Sequence, residues 1–366
     1  MRRAVWRPVT IALFYAMTWT QANPPHATTH GPLVSILVPS YNGARYLREA
    51  LDSILAQTYE NLEVILLDDA SSDETPQIAA EYGDRIIYVR QPSNLYIYEN
   101  VNVGIGLASG ELIATYHADD TYLPTIVAAQ VAYFAQHPEV GAVFASDFFV
   151  DASGREYGRL RLPPEVAGER LLDFPTVLNA LLAYKNRFFV CPTAMVRASV
   201  HRDVGVYRQN PYGIAADLDM WLRIAKKYPM AVLETHLMHY RHFHGNASQL
   251  YNHLRTAPDN YFGIIDDYLN AGDRAQATPQ ALGAYEGHRS EDRVIAAVTH
   301  YIKGEMREGQ MALRSARLMR IARSPGLQRW RLLTIATGMW LLLRLPRQER
   351  LARRMFERWH VKRAPG

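Results

Sequence analysis

The sequence predicts an α/β fold with a mainly parallel sheet between helices. Three observations carry this. Short apolar runs alternate with helix-periodic stretches from residue 33 to 147. The helical stretches are long enough to be crossovers between parallel strands. Polar residues cluster where three of the apolar runs end, and open sheets of this kind bind ligands there.

Taken in order, residues 33–39 are apolar and end in the turn signal Ser40, Tyr41, Asn42, Gly43. Residues 45–57 carry Leu47, Ala50, Leu51, Ile54 and Leu55 at helical spacing. A second apolar run over 62–67 ends at Asp68 and Asp69. Ser72 or Asp73 is placed to cap a helix through about residue 82, with Pro76 tolerated in its first turn. Residues 85–89 read as a third strand and 99–108 as a helix. A fourth strand over 111–116 leads into His117, Ala118, Asp119 and Asp120. A helix over 124–136 and a strand over 140–145 follow. Residues 151–215, with Pro163, Pro164, Pro175 and Pro192, read as irregular. Asp217 then opens a buried helix bearing Leu218, Trp221, Leu222 and Ile224, and 233–240 reads as a strand. Beyond about 265 the pattern is helical.

With 21% charged and 48% hydrophobic residues, the chain can bury a core, so wholesale disorder is excluded. The single cysteine, Cys191, excludes an internal disulfide or a cysteine-rich metal site and fits a reducing compartment. Charge is split. Residues 301–366 hold 16 Lys/Arg against 4 Asp/Glu, whereas residues 1–300 hold 24 against 32. The basic tail suggests either an anionic surface or a solvated helix face. Its segment 330–345 is rich in Leu, Trp and Ile but interrupted by Arg331 and Arg344, as an interfacial helix on anionic lipid would be. A helix packed on the protein has the same pattern. At the other end, Arg2, Arg3 and Arg7 precede an apolar run over 9–19. This reads as a targeting segment or as a misassigned start with Met17 first. The expected organisation is an extension over 1–30, a catalytic domain over 31–265, a helical appendage over 266–325 and a basic amphipathic tail over 326–366.

Several motifs point to chemistry, each beside a plainer reading. Asp119 and Asp120 repel each other at a strand end unless a cation or solvent compensates. Asp68 and Asp69 could form a helix-capping turn or accept a nucleobase N–H. Gly104, Gly106 and Gly110 lack dinucleotide-loop spacing and follow a helical stretch, which excludes a nicotinamide site. Asp217 is either a carboxylate stabilised by a helix N-terminus or a general base. His236, His239, His242 and His244 lie on or beside a strand, which sends alternate side chains to opposite faces and argues against zinc. One of them contacting a diphosphate is the better reading.

Taken together, these residues resemble family 2 of the inverting glycosyltransferases, which have the A-type glycosyltransferase fold. The resemblance runs from Val34 to Asn42, through Leu51 to Tyr59, Leu67 to Thr75, Asn102 to Ile105, Ala108 to Ala114 and Ala118 to Asp120. It ends with Asp217 to Arg223, Tyr240 with Arg241, and Asn246 to Ser248. The ordered set spans about 230 residues and is specific, although each motif is weak alone.

The resemblance implies an enzyme moving a sugar from a nucleoside-diphosphate-sugar donor to a saccharide or lipid-linked acceptor in surface polysaccharide biosynthesis. It also implies roles. Pro39 and Tyr41 would border the nucleobase, and Asp69 would hydrogen-bond it. Asp119 would contact the ribose or sugar-phosphate. Asp120 would bind Mg²⁺ or Mn²⁺, and Asp217 would deprotonate the acceptor. His242 and His244 would be diphosphate contacts. Three positions depart from the family pattern. His117 stands where an acid is frequent, Ala216 where Glu is frequent, and Phe243 where His is frequent. A polyprenyl-phosphate glycosyltransferase and a non-catalytic nucleotide-sugar binder are the alternatives. A nucleotidyltransferase is weaker, lacking a Gly-rich basic triphosphate loop near residue 40. The expected location is cytoplasmic, with the tail against the anionic inner membrane face and no nucleic-acid partner.

Overall fold

The computed structural model describes residues 31–243, 254–319, 328–346, 348 and 350–355. The N-terminal segment 1–30, His244 and the motif from Asn246 to Ser248 lie outside them.

Nine described strands form one mixed sheet: β1 (Val34–Ser40), β2 (Leu62–Asp68), β3 (Ile87–Arg90), β4 (Leu112–Thr115), β5 (Thr121–Tyr122), β6 (Ala142–Val150), β7 (Glu156–Arg159), β8 (Met195–Arg197) and β9 (Met230–Arg241). Their order is β3-β2-β1-β4-β8-β6-β9-β5, with β7 on β6. The first four strands are mutually parallel, as the strand–helix alternation predicts. The short β8 runs antiparallel between β4 and β6, and β9 returns parallel to β6.

Alternation along β1 explains the layers. Val34, Ile36 and Val38 join one apolar cluster with residues of α1 (Ala44–Leu55), α2 (Thr75–Tyr82) and α4 (Ile126–Gln136). Leu37 joins the other, with residues of α3 (Ile97–Leu107), α5 (Phe174–Tyr184), α6 (Ala198–Val204), the short α7 (Gln209–Tyr212) and α8 (Ala216–Ala225). A period of two thus feeds two helical layers from one strand. Helix Asn260–Asn270 and the first turns of helix Pro279–Lys303 also belong to the second cluster, through Ile264, Tyr268, Ala281 and Tyr285. The later turns of Pro279–Lys303 build a third cluster with helices Met306–Ser315 and Gln328–Leu342.

Three sequence expectations need correction. Glu74, not Ser72 or Asp73, occupies the N-cap of α2. Asp73 instead accepts from Thr75 N–H and from Ala44 N–H across the rim. The span 151–215 is not irregular throughout. Pro175 sits in the first turn of α5, where a missing N–H costs nothing, and Asp173 caps that helix by accepting from Thr176 N–H. The third strand begins at Ile87, after a 3₁₀ turn over Gly83–Arg85.

Candidate active site

The carboxyl ends of β1, β2 and β4 meet on one rim. The loop after β1 is laced to the loop after β2. Asn42 N–H donates to Ser71 Oγ at 2.9 Å, Gly43 N–H to Thr75 Oγ1 at 3.1 Å, and Ser72 N–H to Asn42 Oδ1 at 2.8 Å. Asn42 after β1, Ala70 after β2 and Tyr96 after β3 hold φ of 51°, 62° and 65°. Such left-handed non-glycine backbone costs about 1–3 kcal/mol per residue and persists where surroundings enforce it, commonly at functional sites.

Asp68 and Asp69, adjacent in sequence, separate by role. Asp68 is fully buried and committed. It accepts from Ser71 N–H and the Tyr88 hydroxyl, with Arg90 3.5 Å away. Asp69 accepts from Leu95 N–H at 2.7 Å, which fixes the loop before α3. Burial raises its proton affinity, against the lowering by backbone N–H donors. Pro39 is buried in β1, opposite Leu67 of β2, and Tyr41 stands on the rim with 56% of its surface exposed.

The turn after β4 gathers His117, Asp119 and Asp120, whose candidate ligand atoms lie within 4.8 Å of one another. Asp120 is 1% exposed. Arg241 N–H donates to its Oδ1 at 2.8 Å, while its Oδ2 is buried without a hydrogen-bond partner. Arg241, at the end of β9, also donates from Nε to Asp119 O and from Nη2 to Glu49 on α1. Burial, then the neighbouring charge of Asp119, pushes the Asp120 carboxyl well above its ordinary range. His117 Nε2 is likewise buried without a partner. Buried unpartnered polar atoms are costly, and a divalent cation would satisfy several at once. The donor set, two carboxylates and an imidazole, therefore fits a divalent cation such as Mg²⁺ or Mn²⁺.

Asp217 opens α8, and its carboxylate accepts from Asn186 Nδ2 at 3.3 Å and from the Tyr98 hydroxyl. Burial raises its pKa to about 6, against the opposing pull of Leu218 N–H, Tyr98 and Asn186. Tyr98 stands on α3, just after the loop that Asp69 holds, and its ring stacks on Tyr207 at 5.0 Å. Tyr207 is in turn hydrogen-bonded to Thr115, the last residue of β4. Through these contacts Asp217 is tied to the same rim as Asp69 and the turn after β4.

Two features escaped sequence reasoning. Asp147, in the middle of β6, is 1% exposed with an unpartnered Oδ1. Burial lifts its pKa to about 7, and its charge acts on Asp120. Only its polarity inside an apolar strand could have flagged it. The second is the role of Arg241, a residue of the resemblance to which the sequence assigned no function, and which ties β9 to the acidic turn. The histidines of β9 have other partners among the described residues. His236 Nε2 meets Leu160 O, and His239 bridges Thr121 and Glu156. His242 contacts the Tyr157 hydroxyl and stacks on Phe149. Phe243 packs 4.9 Å from Tyr46, and Ala216 is buried.

The model of glycosyl transferase family 2 matches residues 35–205. An uncharacterized glycosyltransferase of Haemophilus influenzae is 30% identical over 246 residues, 65% of this chain and 75% of that protein. EpsE of Bacillus subtilis is 35% identical over 198 residues, 53% of this chain and 66% of that one. The matches to three Rickettsia glycosyltransferases span only 36%, 32% and 32% of those proteins. Among solved structures, S. aureus TarS 1-349 in complex with UDP-GlcNAc superposes with a TM-score of 0.57 at 19% identity, covering 88% of this chain and 92% of that one. That likeness shows a shared fold, the A-type glycosyltransferase fold.

Proposed function

Because the chain belongs to glycosyl transferase family 2, we propose that it moves a sugar from a nucleoside-diphosphate donor to a saccharide or lipid-linked acceptor, inverting the anomeric carbon. The observation that best supports this is a division of labour among carboxylates on one rim. Asp120 keeps a buried oxygen unspent, as a cation ligand would. Asp217 has its pKa lifted to about 6, which suits a base working near neutrality.

In this reading, Tyr41 offers its exposed ring to the nucleobase beside Pro39. Asp69, whose carboxylate is held by Leu95 N–H, accepts the base N–H. Asp119 receives ribose or sugar-phosphate hydroxyls. Asp120 holds Mg²⁺ or Mn²⁺, which when bound supplies Lewis acidity against charge on the departing diphosphate. Asp217 takes the acceptor hydroxyl proton as the new C–O bond forms and the anomeric bond to the diphosphate breaks. His242 and His244 are proposed diphosphate contacts. UDP-GlcNAc, bound in S. aureus TarS, is the first donor to try.

We further propose that the C-terminal segment lies against anionic lipid on the cytoplasmic membrane face. Helix Gln328–Leu342 buries Leu332, Ala336 and Met339, yet leaves Trp330, Trp340 and Leu341 exposed, with Leu345 just beyond and Arg344 stacked on Trp340. Exposed tryptophan beside arginine suits a headgroup interface. No helix among the described residues is long and apolar enough to cross a membrane.

The test is release of nucleoside diphosphate from UDP-, GDP- and dTDP-sugars, with Mn²⁺ or Mg²⁺ and with chelator. Chelator-sensitive release from one donor supports the reading. Absence of release, together with no donor binding by calorimetry, contradicts it.

A further inference from the structure

The acidic turn after β4 differs from an all-oxygen site in one residue. His117 Nδ1 stands 3.9 Å from Asp120 Oδ2, beyond hydrogen-bond range, and its Nε2 is buried with no partner. Donors that share one small divalent ion, each about 2.1 Å from it, lie about 3 to 4.2 Å apart depending on the angle. The observed separation falls inside that interval. The turn is also held from both sides. His117 N–H donates to the Tyr122 hydroxyl at 2.6 Å, and Tyr122 stacks on Tyr116 at 4.1 Å. Residues Thr121 and Tyr122 form β5 against β9, whose Arg241 N–H fixes Asp120 Oδ1. The imidazole and the carboxylate are therefore preorganised, with His117 Nδ1 facing the unspent Asp120 Oδ2.

We propose that His117 is a direct nitrogen ligand of the divalent cation at Asp119 and Asp120, and that this donor makes the site favour transition ions such as Mn²⁺ over Mg²⁺. The proposal rests on the metal-dependent reading above. Its chemistry follows from ligand softness. Mg²⁺ prefers a shell of oxygens and gives up water reluctantly, whereas Mn²⁺ accepts imidazole alongside carboxylate. Asp147 adds a second tier. It is buried within electrostatic reach of Asp120 and keeps one oxygen without a hydrogen-bond partner.

The experiment is pulsed electron paramagnetic resonance of Mn²⁺ bound to the full chain, alone and with UDP, GDP or dTDP. Isothermal titration would compare Mn²⁺ with Mg²⁺. The expected result is a ¹⁴N hyperfine coupling on bound Mn²⁺ that converts to a ¹⁵N pattern when histidine alone is isotopically labelled. That measurement needs no variant and so does not depend on a variant folding. The coupling should vanish in His117→Asp, and the Mn²⁺-to-Mg²⁺ affinity ratio should fall several-fold. Bound Mn²⁺ with no nitrogen coupling overturns the His117 assignment while leaving the metal-dependent reading intact. A coupling retained in folded His117→Asp assigns the nitrogen to another histidine and also overturns it. No Mn²⁺ binding with any diphosphate removes both the assignment and the reading beneath it.

Discussion

Asp217 and Asp219, two residues apart on α8, show how environment separates identical side chains. Asp219 is fully buried and saturated by Arg208 at 2.6 Å and Arg223 at 2.9 Å, with the Tyr268 hydroxyl nearby. Removing one partner of a buried ion pair leaves the other charge stranded, so Asp219→Ala should cost about 3–5 kcal/mol in urea unfolding. Asp217 has no cationic partner among its described contacts and holds its proton up to about pH 6. The folded state thus binds that proton more tightly than the unfolded chain, whose value is near 3.8. Stability therefore falls as pH rises between those values, and the full cost is present above pH 6. Asp217→Asn removes the cost. The variant should melt no lower than the wild type at pH 8, bind donor, and lose about 10²–10⁴-fold in turnover. The wild-type rate should fall as pH drops through about 6, and Tyr98→Phe, which removes a donor to the carboxylate, should move that limb upward. The spacing of Asp217 and Asp219 was legible in the sequence, but their division was not. It depends on Arg208 from a separate loop and on Asn186 from beyond α5.

At the scale of elements, the rejected glycine motif acquires a packing explanation. A Cβ on Gly104 would come 2.5 Å from Leu67 Cδ1 and 3.1 Å from Leu37, so glycine lets α3 lie close on β1 and β2. A Cβ on Gly110 would meet the backbone itself, at 2.7 Å from Leu33 O and from Ser35 N. Backbone cannot swing aside, so Gly110→Ala should destabilise by about 1–3 kcal/mol in denaturant titration, as overpacking does. The strands β1, β2 and β4 and the helices α1 and α4 were readable because burial on a doubly covered sheet leaves apolar runs and helical spacing. The short β5 and β8 and the exposed β7 carry no such pattern. Thr121–Tyr122 and Met195–Arg197 are strands only because β9, β4 and β6 offer them partners. Pro175 was misleading because the same residue breaks a helix interior and begins a helix.

Across the whole molecule, the site is assembled from segments nearly two hundred residues apart, joined by Arg241 and by the Tyr98–Tyr207–Thr115 contacts. Order along the chain made its acids recognisable. Asp147 became visible only once the sheet was closed. In the basic C-terminal segment, one side of helix Gln328–Leu342 packs on the protein, while Trp330, Trp340 and Leu341 are exposed and form the side proposed to meet lipid. Replacing these three by serine should weaken binding to anionic vesicles without lowering the melting temperature, and added salt should weaken the wild type's binding. Unchanged vesicle binding would remove the membrane proposal and leave the transfer chemistry untouched. That chemistry is tested most directly by donor turnover. The purified chain is mixed with UDP-, GDP- and dTDP-sugars and Mn²⁺, and released diphosphate is followed with and without chelator in wild type and Asp217→Asn. Release from one donor, abolished by chelator, is expected, with Asp217→Asn still binding that donor but turning it over at least about 10²-fold more slowly. Turnover that ignores both the chelator and the substitution would contradict that chemistry.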